Sequence, residues 1–232
     1  MTPARAPRRF APLLAGTAAG SLGPADLEEI GISIVAVDIL ELWLGVGFDR
    51  IDAGGGLGSF IGWDGPIVGV ARYTEEGPVM AGWRGRGLPQ LLKQRGDTIK
   101  LRSAIDGTAV DVVIDELRTK AAALGPGVVD ATGDHSVKLW SGAGYPPGNA
   151  QVVVTDAANL EAGAGRYHSD SGWTDLATAA GGPLVAGCDC RTCGIAGSAY
   201  IAHLAAVHEI TADHLLAWHN THRLRRLVEA PA

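Results

Sequence analysis

Buried-strand, amphipathic-helix and turn patterns follow one another along this chain, and their order sets the first expectations. Pro24-Ala25-Asp26-Leu27-Glu28-Glu29-Ile30 has proline and acids in a first helical turn and a stop at Gly31, which predicts a short helix. Ile32-Ser33-Ile34-Val35-Ala36-Val37 is β-branched and nearly all apolar, the pattern of a strand covered on both faces. Helix followed by buried strand predicts α/β layering. Phe48 to Phe60 reads as a Gly-rich connection, and Gly62-Trp63-Asp64-Gly65-Pro66 as a turn leading to a strand at Ile67 to Val70. Further strands are expected at Thr98 to Arg102, Val128 to Ala131 and Gln151 to Val154. Val112, Val113, Leu117, Ala121 and Leu124 fall at helical spacing, so Asp111 to Leu124 is predicted as an amphipathic helix, ended by Gly125-Pro126-Gly127. Residues 156–187 show little periodicity. Ser198 to Ile210 and Asp213 to Val228 are expected to form two helices.

The composition is that of a globular chain with many turns. Of 232 residues, 47 % are hydrophobic and 33 are Gly, enough for one sizeable core or a core and a small satellite. Residues 1–19 read as a loose basic arm. The net charge of −6 argues against a nonspecific nucleic-acid coat, so any nucleic-acid contact needs a local basic patch. One exists: from Arg84 to Arg102 there are six Lys/Arg against one Asp, with Trp83 beside them for stacking. The same run also fits a solvated loop. No apolar run approaches the ~20 residues of a membrane span, and a secretory signal is not expected. The protein is therefore expected in the cytoplasm.

The most specific chemistry lies near the end. All three cysteines fall in Cys188-Asp189-Cys190-Arg191-Thr192-Cys193. Thiolates at this spacing can turn inward on one tight loop, and a His returned by a helical hairpin can complete a tetrahedral zinc site. A disulfide plus a free thiol suits the pattern less, because adjacent cysteines on a short loop are poorly placed for bridge geometry. His203, His208, His214, His219 and His222 all follow, and spacing does not choose among them.

These residues carry a resemblance. The cysteine segment, then Ala199-Tyr200-Ile201-Ala202-His203-Leu204, Glu209-Ile210 and Leu215-Leu216-Ala217-Trp218-His219-Asn220, resembles the zinc region of the tRNA-guanine transglycosylase family. Upstream, Leu27-Glu28-Glu29-Ile30-Gly31, Leu42-Trp43-Leu44, the segment Phe60 to Ile67 and Leu101-Arg102-Ser103-Ala104-Ile105-Asp106-Gly107 resemble further blocks of that family. The resemblance covers about 20–67, 98–135 and 186–228. It implies Cys188, Cys190, Cys193 and His219 as zinc ligands, a (β/α) TIM-type barrel with a zinc-binding helical hairpin, and exchange of guanine in tRNA for a 7-deazaguanine base through an Asp nucleophile. It also implies a subunit interface at the zinc hairpin, hence a homo- or heterodimer.

The chain departs from the family where the chemistry would be. Val68-Gly69-Val70-Ala71-Arg72-Tyr73 stands where the family has an Asp-Ser-Gly-Gly-Phe-Gln loop, and Ala150 stands at the nucleophile's place. The remaining candidates are Asp156 and Asp134 as catalytic groups and Asp130 as a base-binding group, with Asp38 a further possibility. Ser198 occupies the position of an Arg that would favour RNA phosphate. A full barrel needs ~200 residues, which leaves too few here beside a zinc hairpin of about 45. The expected organisation is thus a basic arm at 1–19, an abbreviated barrel-like α/β domain at 20–185 and a zinc subdomain at 186–232. Three functions stay open: a reduced transglycosylase, a pentosyltransferase acting on tRNA, DNA or a free nucleoside; a non-catalytic zinc-bearing partner of a complete relative; and a decayed product.

Overall fold

A computed structural model of the chain describes residues 8–14, 20–38, 46, 48–70, 72–74, 77–79, 128–130, 137–140, 142–147, 150–179 and 181–230. In chain order the elements are β1 (Arg9–Leu14), α1 (Pro24–Ile30), β2 (Val35–Asp38), α2 (Phe48–Ala53), α3 (Leu57–Ile61), β3 (Ile67–Val70), β4 (Arg72–Thr74), β5 (Gly77–Val79) and β6 (Val128–Asp130). They continue with β7 (Val137–Leu139), β8 (Val152–Thr155), α4 (Ala157–Gly163), β9 (Arg166–Ser169), β10 (Gly172–Asp175), a 3₁₀ turn (Leu176–Thr178), α5 (Arg191–Ile195), α6 (Ser198–Ala206) and α7 (Ile210–Glu229). The expected strand at 98–102, the helix at 111–124, the Arg84–Arg102 patch and Asp134 lie outside the described residues.

Two compact units divide the chain, the first drawn from Met1–Leu13, Ala18–Val35 and Ser136–Ala232, the second from Leu14–Thr17 and Ala36–His135. The first is built on a parallel sheet with β8 between β1 and β7: Phe10 pairs with Val153, and Val153 in turn with Lys138. Val153, Val154 and Thr155 are buried, as a central parallel strand covered on both faces requires. The basic arm expected over 1–19 does not extend through β1, where five of six positions are buried. Arg9, counted from sequence as arm charge, instead donates to the Ser33 carbonyl at 3.0 Å, and the Phe10 amide donates to the Glu229 carboxylate at 3.2 Å. A charge at a strand's first residue is not a charge on a loose tail when the next five side chains have a core to enter.

Helix α7 is the first unit's largest element. Ala212, Leu216, Asn220, Leu224 and Val228 recur every four residues and are all buried. This stripe packs α7 against α4 and β9. The stretch 156–187 is not structureless. It forms α4, the antiparallel hairpin β9–β10 and the 3₁₀ turn. Its strands escape a hydrophobic pattern because polar groups stabilise them: the Ser169 hydroxyl bonds Thr174 Oγ1 at 2.8 Å and donates to the Gly172 carbonyl at 3.0 Å.

In the second unit β3 pairs in parallel with β6, Val68 opposite Val129, and β4 pairs antiparallel with β5. The strand expected at 67–70 has those bounds, and the one at 128–131 ends a residue earlier. Phe48 to Phe60, read as a connection, holds α2 and most of α3, anchored by the fully buried Ile51 and Leu57. The Gly62 to Pro66 turn folds around Trp63, whose indole donates to the Pro66 carbonyl at 3.3 Å. A Cβ on Gly65 would stand 2.7 Å from that indole nitrogen, so only glycine fits. The described residues thus give an α/β architecture with parallel sheet. No closed barrel is seen among them.

Candidate metal centre

Three local devices turn the cysteine segment inward. Cys190 caps α5, its sulfur accepting the Cys193 amide at 3.3 Å, so Cys190 and Cys193 face the same side of one turn. Thr192, fully buried, donates its hydroxyl to the Leu215 carbonyl at 2.8 Å and fastens α5 to α7. The Cys188 amide donates to the Val185 carbonyl at 3.2 Å, closing the loop that enters the segment. Arg191 points the other way and pairs with Glu29 at 3.0 Å.

His219 arrives from α7, completely buried. Its Nε2 lies 3.1 Å from the His168 carbonyl. A carbonyl only accepts, so Nε2 carries a proton and Nδ1 is the ring nitrogen that faces the sulfurs. Nδ1 is 3.3 Å from Cys190 Sγ, 3.4 Å from Cys193 Sγ and 4.0 Å from Cys188 Sγ. All four donor atoms lie within 4.8 Å of one another.

These distances suit a shared ion. Sulfur and nitrogen bound at ~2.3 and ~2.0 Å to one tetrahedral ion stand ~3.5 Å apart, and the three observed separations bracket that value. Three thiols and an imidazole are also the donor chemistry of a closed structural zinc site. The cluster fits zinc in number, donor type and spacing. The metal would hold the cysteine loop to α7, with His219 oriented by β9.

Electrostatics without an ion point the same way. A hydrogen bond to Cys193 and burial push the Cys190 thiol up, whereas the hydrogen bond from Cys190 pulls Cys193 well below the usual thiol range. Burial pulls His219 down, but hydrogen bonds to Cys188 and Cys193 overcome it and raise the imidazole to about 9. At neutral pH the metal-free pocket therefore keeps protons on Cys190 and His219 that a divalent ion would displace.

Asn220, beside His219, carries the surrounding geometry. It is fully buried and satisfied: Oδ1 accepts the His168 amide at 2.9 Å, and Nδ2 donates to the Ala158 and Arg166 carbonyls at 3.1 and 3.0 Å. It thereby fixes β9 so that the His168 carbonyl meets His219. Sequence reasoning missed His168, because a backbone carbonyl leaves no residue-type signal. His168 itself is nearly buried with its ring edge-on to Trp173, and burial, then Arg223, lowers it to about 4.

The other sequence candidates separate. Asp156 follows β8 and immediately precedes α4, half-buried. Asp130 ends β6 in the second unit, and Asp38 ends β2. Ala150, at the place of the expected nucleophile, is completely buried. Ser198 is buried too: its hydroxyl accepts the Gly181 amide at 3.1 Å, so the position braces the loop before the cysteines instead of facing a phosphate. His203 and His208 are exposed, and His214 reaches the Ser21 carbonyl at 3.0 Å.

Fold and cluster together define an α/β protein whose helical region carries a Cys₃His cluster that could hold a metal. Comparison with known proteins carries this further. Residues 153–230 match the family model of queuine tRNA-ribosyltransferase. A queuine tRNA-ribosyltransferase of Nitrosospira multiformis is 36 % identical over 98 residues, 42 % of this chain and 24 % of that protein. One of Thermus thermophilus is 50 % identical over 48 residues, 21 % of this chain and 12 % of that protein. One of Pseudomonas aeruginosa is 32 % identical over 114 residues, 49 % of this chain and 28 % of that protein. Residues 153–230 are thus similar to the queuine tRNA-ribosyltransferase family, and the chain spans 24 %, 12 % and 28 % of the length of these three relatives. The matched region takes in β8 to β10 as well as the metal cluster.

Proposed function

We propose that the protein takes part in exchange of guanine for a 7-deazaguanine base in nucleic acid, with tRNA as the polymer to test first. The observation that carries this is the Cys₃His cluster, held by α5, α7 and β9, within the segment that matches queuine tRNA-ribosyltransferase. On this reading the cluster holds zinc, the parallel strands belong to an abbreviated barrel, and the Arg84–Arg102 run supplies phosphate contacts. Asp156 and Asp134 are the candidate catalytic groups and Asp130 the base-binding group. A carboxylate at the end of a parallel strand, as Asp156 is, stands where α/β proteins gather their ligands.

A second reading, a zinc-bearing subunit that works only with a complete relative, is favoured by two observations. Ala150 is buried and cannot act as a nucleophile. Ile195, Tyr200, Val207 and Ile210, which lie on α5, on α6, at its C-cap and at the start of α7, are each more than half exposed, apolar side chains open to a partner. Incorporation of radiolabelled guanine into bulk tRNA separates the two. Exchange by the protein alone, abolished by Asp156→Asn, supports catalysis. Exchange only after addition of a complete family member supports the subunit reading. No incorporation and no complex with such a member would defeat both.

A further inference from the structure

A second group of potential metal ligands lies beside the cluster and shares one member with it. Cys188 Sγ, a carboxylate oxygen of Asp189 and a ring nitrogen of His222 also fall within 4.8 Å of one another. His222 follows His219 by three residues on α7, so the two imidazoles share a face of the helix. Cys188 belongs to both groups.

The geometry of this second group resembles shared coordination more than hydrogen bonding. His222 Nε2 stands 3.6 Å from Asp189 Oδ1, too long for a hydrogen bond. Nitrogen and oxygen ligands each ~2.1 Å from one ion at the tetrahedral angle would stand ~3.4 Å apart. The His222 side chain is only 12 % exposed, stacked on Trp218, and its Nδ1 is buried with no hydrogen-bond partner among the described residues. Asp189 is open to solvent, with a side chain 66 % exposed. Sulfur, imidazole and carboxylate donors together select a borderline divalent ion of the zinc type over magnesium or calcium.

The inner cluster needs an entrance. Cys190 and His219 are closed off from solvent, whereas Cys188 is partly open. We propose that Cys188, Asp189 and His222 form an outer metal position, which captures a divalent transition-metal ion from solvent and passes it inward by exchange of ligands around the shared Cys188 sulfur. Arg226, whose guanidinium lies 2.5 Å from Asp189 Oδ1, opposes a second cation there. The outer position is consequently weak, as a capture site must be if it is to release its ion inward.

This inference rests on the inner cluster binding metal, and the test separates the two. The full chain, stripped of metal, is titrated with Co²⁺ while thiolate-to-cobalt charge-transfer and ligand-field absorption are followed. The expected result is one tight ion and a second, weaker one that perturbs the charge-transfer band of the first. His222→Ala and Asp189→Asn should abolish the second ion, retain the first and slow loading at substoichiometric cobalt. Arg226→Gln should tighten the second ion about tenfold, which keeps the test decisive if the other variants fold poorly. Saturation at one ion in both the wild type and Arg226→Gln overturns the outer position alone, as does a second ion unchanged in His222→Ala. Absence of any thiolate-bound cobalt overturns the inner cluster and the outer position with it.

Discussion

Asn220 joins three segments through one side chain, and its removal would leave the His168 amide and two carbonyls without their partner. Asn220→Ala should cost about 3 kcal/mol in urea unfolding of the metal-loaded protein, since buried groups stripped of hydrogen bonds cost ~1–3 kcal/mol each and share some relaxation. Metal affinity should fall with it, because His219 loses the carbonyl that orients it. The pocket also sets a pH profile for the metal-free chain. Cys193 is lowered from 9.0, so its contribution is present above that value and is lost as pH falls. His219 is raised from 6.5 to about 9, so its contribution is full below 6.5 and is lost as pH rises through about 9. Between these values the two opposite slopes cancel. Cys190 is raised, which removes its contribution at higher pH still. Unfolding midpoints in chelator should therefore climb with pH to about 6.5, stay level to about 9 and then fall. A steady slope across neutral pH would contradict the pairing of Cys193 with His219. At this scale the cysteines of the cluster were legible from spacing, but its fourth member was not. Five histidines follow, and only the family resemblance chose His219, because what distinguishes it is a carbonyl 51 positions upstream in a hairpin with no hydrophobic period.

Among the elements, α1 was readable because its signals are local. Pro24 opens it, and the Gly23 amide donates to the Asp26 carboxylate at 2.9 Å. Gly31 closes it in the left-handed region at φ 86°. A Cβ on Gly31 would stand 2.8 Å from Arg225 Nη1, the group that donates to the Ile30 carbonyl at 2.6 Å. Gly31→Ala combines backbone strain with displacement of that cap and should destabilise the first unit by about 2 kcal/mol, measured by urea unfolding. Helix α7 was equally readable from its four-residue period. The β9–β10 hairpin and β1 were not. The hairpin is held by Ser169, Thr174 and buried histidine, and β1 joins β8 across some 140 residues of sequence. Pairings of that range leave no local trace.

At the level of the whole molecule, the cluster lies in one of two units, so metal bound there should act on one transition. With zinc at ~1,000 times its dissociation constant, binding adds about 4 kcal/mol to the first unit. Chelation should lower that unit's melting midpoint by ~8–16 °C, read by calorimetry, and leave any separate transition of the second unit in place. The exposed apolar side chains of α5 to α7 give a prediction at the same scale. Tyr200→Glu puts a charge among these exposed apolar residues and should weaken any self-association or association with a complete relative at least tenfold in sedimentation, with melting of the metal-loaded chain unchanged.

Burial of His219 and Cys190 has a kinetic corollary. An ion held between them would be shielded on that side, so a chelator would reach it only after it shifts outward past the partly open Cys188 or after α5 lifts from α7, and removal would be gated by that step. Extraction should first speed up with chelator concentration and then level at a ceiling, and that ceiling is the frequency of the motion that first exposes the ion. A metal-release assay on this protein thus doubles as a clock for local breathing.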